Sequence, residues 1–452
     1  MAAALIISIY ISPYWSVIPF LIIINILVVN YANIKIFAYP LLVALLTVSE
    51  NFSKDLRLVV QVFSFALLAY LFFKKYGLEF NKYPYLPKDL QLFILLLLIL
   101  MSISAFFSSY SAYGFLLIFQ TLLFFLLVLG FYGIMESDQD IKHIILTFII
   151  IAVIYCGYIF WLMIFQGNFL DNFIAGQLIE EETNYLHKST MGSFLTIISI
   201  IVLASIRGQS FKYKILGWLL FSIFVLAIIL TNNRSAYLCL VIGILFLLYI
   251  MDRSLMYKVM VGGSVVSILL YIIFSNYLEL MLRFENVGTG REYLFNSAIR
   301  IIEQNFILGV GPGATKFHIY PNLQYMLGSP AEYLIRKNVV GGQIGQAHSF
   351  YMFYFADLGV LGFSLAVYLP YVFFSKCWKL LTKIEYVNNW KRNLVIGITS
   401  AGVALFVRGL FEPSGILTFG FIKNDLPFWI LFIIILHEIK NTSCTTEELE
   451  IH

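Results

Sequence analysis

One histidine, His348, stands at the lip of a long apolar run in the word Ala347-His348-Ser349, and Asp357, Gly359 and Gly362 follow along that run. Two polar words lie upstream, Gly290-Arg291-Glu292-Tyr293-Leu294 and Gly309-Val310-Gly311-Pro312-Gly313, in a segment too hydrophilic to lie in lipid. A third group, Asn232, Asn233 and Arg234, interrupts the apolar stretch from Ile215 to Ile250. Histidine exchanges a proton near neutral pH, and arginine is a permanent cation whose planar fork of donors grips oxyanions. Each residue also has a plainer use. An arginine at a helix end can snorkel to lipid headgroups, and a histidine at a helix start can cap the helix or contact water.

The composition sets the frame for these residues. Hydrophobic residues make up 61% of the chain and charged residues 12%, about half the charged share of a soluble domain. The chain therefore reads as an all-α polytopic integral membrane protein. Apolar windows fall near residues 15–30, 34–49, 57–74, 90–107, 113–134, 141–166, 189–206, 213–230, 235–251, 256–275, 347–374, 391–412 and 424–438. The expected count is about twelve to fourteen transmembrane helices, with residues 4–12 either an extra short helix before Pro13 or an extension of the first span. Helices are expected because a lipid-exposed helix satisfies its own backbone, and the alternation of a membrane barrel is absent. The first residues lack a basic stretch, so a retained N-terminus is expected.

Lysine and arginine bias orients the chain. Lys74, Lys75, Lys82 and Lys88 share one loop; Arg207, Lys212 and Lys214 a second; Arg253 and Lys258 a third; Lys376, Lys379, Lys383, Lys391 and Arg392 a fourth. All four fall on one side of the spans above, expected to be the cytoplasm. Residues 167–188, with Glu180, Glu181 and Glu182, and the long loop 277–346 then face outward. The domain expectation is a single transmembrane helical domain over residues 1–440, its outward loop 277–346 carrying the polar machinery, with a short solvated cytoplasmic tail at 441–452. The net charge of +4 is accounted for by these loop lysines, so no nucleic-acid partner is expected. Cys156, Cys239, Cys377 and Cys444 have no metal-ligand spacing, and Glu180 to Glu182 read as a solvated turn, so neither metal nor cofactor is expected.

Within the outward loop, Leu294, Ala298, Ile301 and Ile302 recur at helical spacing while Arg291, Glu292, Asn296, Arg300 and Glu303 lie between them. This is an amphipathic helix, either an interfacial anchor or a means of holding Arg291 at headgroup depth. Gly309, Gly311 and Gly313 permit close backbone approach, although they lack the strand-before, helix-after setting of a nucleotide fingerprint. Arg408 and Glu412 end a later span and read as an internal, supporting pair.

Together these words resemble the O-antigen ligase and polymerase superfamily of bacterial envelope glycosyltransferases, in order as well as content. The family's Thr-x-Ser-Arg word reads here Thr231-Asn232-Asn233-Arg234, and its Gly-Arg word reads Gly290-Arg291. Its Gly-x-Gly-x-Gly turn is Gly309 to Gly313, and its Ala-His-Asn word leading to Glu-x-Gly-x-x-Gly is Ala347-His348-Ser349 followed by Asp357 to Gly362. Asn233, Ser349 and Asp357 depart from the usual Ser, Asn and Glu, and each keeps a hydrogen-bonding side chain. Arg300 and Gly311 also echo an Arg-x10-Gly pattern of some polymerases.

The resemblance implies a GT-C-like inner-membrane enzyme with its site facing the periplasm. It would transfer a sugar chain from undecaprenyl pyrophosphate with inversion and without a metal. His348 would be the general base and Arg234 and Arg291 the pyrophosphate ligands, with Arg300, Gly311, Gly313, Ser349, Asp357 and Arg408 in support. The implied partners are an undecaprenyl-pyrophosphate-linked oligosaccharide, an acceptor glycan lipid, membrane lipids and a chain-length regulator. Polymerase is favoured over ligase because Arg283, Arg291, Arg300, Lys316, Arg336 and Lys337 spread along the loop, although Glu279, Glu285, Glu292, Glu303 and Glu332 nearly balance them. A lipid-linked glycan flippase or transporter is the reading from another class, but its charges would be expected near the midplane of paired halves.

Overall fold

The computed structural model describes residues 38–47, 86–165, 188–282, 291–323, 348–384 and 389–450, together with Gln61, Ser64, Leu68 and Tyr76. Among these residues the elements are α1 (Ala38–Thr47), α2 (Lys88–Phe107), α3 (Ser111–Ile134), α4 (Asp138–Phe165), α5 (Lys188–Ile206), α6 (Phe211–Leu230) and α7 (Arg234–Met251). They continue with α8 (Arg253–Leu282), α9 (Arg291–Gln304), the one-turn α10 (Thr315–His318), a 3-10 turn at Tyr320–Asn322, α11 (Phe350–Ile384), α12 (Asn389–Arg408) and α13 (Ile422–Glu450). Eight of these helices are long and apolar enough to cross a membrane. The protein is therefore a polytopic helical membrane protein. The expected spans near 15–30 and most of 57–74, the run Glu180 to Glu182, and Lys74, Lys75, Lys82, Arg283, Gly290, Arg336, Lys337 and Ala347 lie outside the described residues.

Helix α5 is the hub. Its membrane window is 89% buried, whereas that of α8 is only 6% buried, so the first packs among protein and the second presents apolar side chains outward. Around α5 stand α4, α6, α7, α12 and α13, while α11 joins α2, α12 and α13. The main core runs through these helices and includes Phe124, Phe148, Phe194, Phe224, Phe350, Phe373, Phe419 and Trp429.

Side-chain contacts gather the cationic loops at one end of the bundle. Lys376 of α11 pairs with Asp89 at the start of α2. Arg207, just past α5, donates to Met251 O at 2.8 Å, and Asn393 of α12 donates to Arg207 O at 2.8 Å. Lys391 reaches Asp138 at 2.6 Å and Glu438 at 3.2 Å. The described loops that carry these cations therefore share one end of the bundle.

Three boundaries differ from the apolar windows. The window 347–374 is not one continuous helix, because Gly359 takes φ 69, ψ −164 in its middle. Helix α12 stops at Arg408, before the window's end at 412, and the chain turns through residues 409–421 to enter α13. Helix α13 continues through residues 441–450 instead of ending at the span. A hydropathy window measures lipid compatibility, and a helix can run on into polar sequence once its backbone bonding is established.

Candidate active site at the end opposite the cationic loops

The far ends of four helices are tied together by a chain of contacts. Arg234 opens α7, preceded by Asn233, whose Oδ1 accepts from Ser235 N at 3.1 Å, Ala236 N at 3.3 Å and Ser235 Oγ at 2.7 Å. Asn233 is therefore an N-cap, occupying two of the amide donors that a helix start leaves without partners. It packs on Gly192 in the first turn of α5, where a Cβ would stand 3.2 Å from Asn233 Nδ2. Nearby, Ser189 of α5 receives the Arg408 guanidinium: Nη2 reaches Ser189 O at 3.1 Å and also Ser189 Oγ, while Nη1 donates to Ser414 O at 2.6 Å. Gly409, the residue after Arg408, accepts Phe350 N at 2.7 Å and Ser349 Oγ at 3.2 Å. His348 comes immediately before, with φ 45. This is the left-handed region, which costs a side-chain-bearing residue of order 1–3 kcal/mol and turns the chain sharply into α11.

Arg408 is thus a buried clamp between α5 and the turn after α12, 1% exposed. Arg234 and Arg291 are different in kind. Each is the first residue of its helix, and the first turn of α7 contains no acidic residue. A helix macrodipole places about half a positive charge at that end, so a cation there is locally unfavourable. Helix α11 also starts at this face, beside His348. Helix starts of this kind present backbone amides that favour an anion. The cap itself predicts a modest result: Asn233→Ala is expected to cost about 1 kcal/mol, read as a lowered thermal midpoint of the detergent-solubilised protein.

The glycine turn and the Asp357 word, separate in sequence, form one joint. A continuous helix would bond the carbonyls of Ala356 and Asp357 to amides four residues on, but the break at Gly359 releases them. Val310 N donates to Ala356 O at 3.0 Å, Gly311 N to Asp357 O at 2.9 Å, and Val360 N returns a bond to Phe306 O at 2.9 Å. Gly313 N donates to Asp357 Oδ2 at 2.9 Å, and Thr315 N and Oγ1 both donate to Oδ1, the former at 3.0 Å. Ser104 Oγ lies 2.7 Å from Leu308 O and 3.0 Å from Asp357 O, and Ser108 Oγ donates to Val310 O at 2.6 Å. The amides of Val310, Gly311 and Gly313 are therefore directed into α11. The unusual backbone that the glycines allow serves helix-to-turn docking.

Beside the joint, Lys316 Nζ stands 3.0 Å from Tyr113 OH, 4.1 Å from that ring's centroid and 4.9 Å from the Phe317 ring. Tyr110 stacks on Phe317 with centroids 4.2 Å apart. His318 meets the edge of Tyr110 at 5.7 Å, and burial holds its imidazole below the usual histidine value. Arg300 lies on α9 and is half-buried. Helix α9 packs on α11; of its regularly spaced apolar residues Ala298, Ile301 and Ile302 are buried and Leu294 is partly buried, with Ile301 and Ile302 in one cluster with Val310, Ile319 and Ala356.

Residues 218–367 match the family model described as Wzy_C, O-antigen ligase. Over these residues the chain is similar to an O-antigen ligase domain. That similarity supports the O-antigen ligase and polymerase superfamily and indicates a glycosyltransferase-type enzyme acting in O-antigen assembly. No curated protein matches the chain. The matched segment begins inside α6 and ends inside α11, so it takes in Arg234, Arg291, the glycine turn, His348 and Asp357. Arg408, Ser189 and Ser104 fall outside the ligase domain and support it from neighbouring helices. Ser104, Ser108, Thr315 and Tyr113 had not been singled out from sequence. The one local signal was Ser104 and Ser108, four residues apart on one face at the end of an apolar helix.

Proposed function

We propose that this enzyme is an O-antigen polymerase of the bacterial inner membrane, working at the periplasmic face on repeat units carried by undecaprenyl pyrophosphate. His348 takes the proton from an acceptor hydroxyl as its oxygen attacks the anomeric carbon of the donor chain. The bond from that carbon to phosphate breaks on the opposite side, so configuration inverts, and undecaprenyl pyrophosphate leaves with the electron pair. Arg234 and Arg291 stabilise the charge that develops on the leaving group, with fixed guanidinium charge at the place where it appears.

What supports this reading is that Arg234 and Arg291 are each the first residue of a helix, where the macrodipole alone disfavours a cation. A pyrophosphate bound by both arginines would turn that setting into an attraction, and sites that break a local rule are where function is expected. Ligation to lipid A core is the second reading, favoured by the description of the matched family. Purified protein supplied with lipid-linked repeats separates them: longer lipid-linked chains support polymerase, glycan joined to core supports ligase, and topological exchange alone would indicate a transporter.

Arg291→Ala is expected to lower kcat by about 10²-fold or more, the scale of losing one charge-stabilising donor. Arg291→Lys keeps charge without the bidentate fork and should recover only part. Equal kcat for wild type and Arg291→Ala would remove Arg291 from the leaving-group site.

A further inference from the structure

We propose that Asp357 is a positioning residue, which holds the segment led by Arg291 in register with the helix led by His348. The inference rests on the catalytic reading of those two residues given above. Asp357 is 0% exposed, and a carboxylate is costly to bury unless its oxygens are fully used. Here they are used on one target. Oδ2 takes Gly313 N and Oδ1 takes both donors of Thr315, so one side chain grips residues 313–315 from two oxygens.

The backbone around it makes the grip stiff. Gly359 has a left-handed φ of 69, and a Cβ there would overlap the Ile307 carbonyl and stand 2.7 Å from Leu308 N. At Gly309, φ 67, a Cβ would overlap the Asp357 carbonyl and stand 2.5 Å from Leu358 N. The two backbones therefore touch directly. Ser104 of α2 and Ser108 just past its end close the third side.

Geometry links this joint to the reacting groups. Residues 350–358 form one helical piece bounded by left-handed His348 and Gly359, and Asp357 lies about 13 Å along it from His348 at 1.5 Å per residue. On the other side, Gly309 follows the last residue of α9 by a single turn in which Asn305 O accepts Gly309 N at 2.9 Å. Helix α9, which begins at Arg291, is thus coupled through a short turn to Asp357 and through it to the His348 helix. Displacement of a reacting group by about 1 Å can cost about 10²-fold in rate, so loosening this coupling should act on turnover without a substrate contact being lost.

The test measures kcat and KM per folded, monodisperse molecule of the full chain, with repeat units on undecaprenyl pyrophosphate extracted from the host as substrate. Asp357→Asn, Thr315→Val and Ser104→Ala remove different parts of the joint, and Asp357→Glu restores the carboxylate. Expected for Asp357→Asn is a fall in kcat of about tenfold or more at nearly constant KM, with smaller falls for Thr315→Val and Ser104→Ala and partial recovery in Asp357→Glu. Wild-type kcat per folded molecule in Asp357→Asn, or an effect on KM alone, would overturn the proposal. If Asp357→Asn does not purify as a folded protein, Thr315→Val, which leaves both backbone bonds to the carboxylate, decides by the same criterion. His348→Asn is run alongside. Its inactivity together with full activity in the joint variants overturns positioning alone, whereas an active His348→Asn overturns the catalytic reading on which positioning rests.

Discussion

His348→Asn is expected to lower glycosyl transfer by about 10²–10⁴-fold, the usual contribution of a general base, with the protein still folded. Asparagine is the informative replacement because His348 has φ 45. Asparagine tolerates the left-handed region better than alanine does, so it removes the base while sparing the backbone. His348→Ala should lose as much activity and somewhat more stability. In the host, either variant should reproduce the deletion phenotype on a lipopolysaccharide gel. Loss of long chains with one repeat still on core means polymerase, and loss of every repeat from core means ligase. An unchanged ladder from His348→Asn would sink the general-base assignment.

The second large effect is conformational. Gly359→Ala should destabilise the outward region by about 3 kcal/mol or more, combining a side chain in a region nearly closed to L-residues with a backbone overlap. The new Cβ would meet the Ile307 carbonyl and Leu308 N, which are main-chain atoms. No rotamer change can relieve that. Separation of the glycine turn from α11 is the expected escape, read as faster proteolysis between α9 and α11 and as lost transfer. Gly262→Ala and Gly263→Ala on α8, where a Cβ meets nothing within 4 Å, are the matching controls. They should be neutral or stabilising by up to about 1 kcal/mol each, through helix propensity. Equal stability of Gly359→Ala and these controls would mean that the break at Gly359 is not required.

Much of the fold was legible because its cause is local. In lipid, backbone groups must be satisfied within one helix, so a run of apolar residues announces a span without reference to any partner. The segments that became α2 to α8 were readable this way. The positions of Arg234 and His348 at helix starts were readable too, since a polar residue at the edge of an apolar run is conspicuous wherever the chain later goes. The windows failed at Gly359, where glycine in an apolar helix is hydrophobic enough to pass unnoticed. They failed again at residues 441–450, where polarity hid a continuing helix.

By itself, then, the sequence determined the class, the sharing of one end by the described cationic loops and the three polar words, all of which follow from the composition of short stretches. The tertiary structure alone decided that two of those words are halves of one joint and that Ser104 belongs to it. It also decided that Arg408 is spent on Ser189, 219 residues away in the chain. The reason is physical: a buried donor takes whichever acceptor the folded backbone brings within about 3 Å, and no local period records which one that will be.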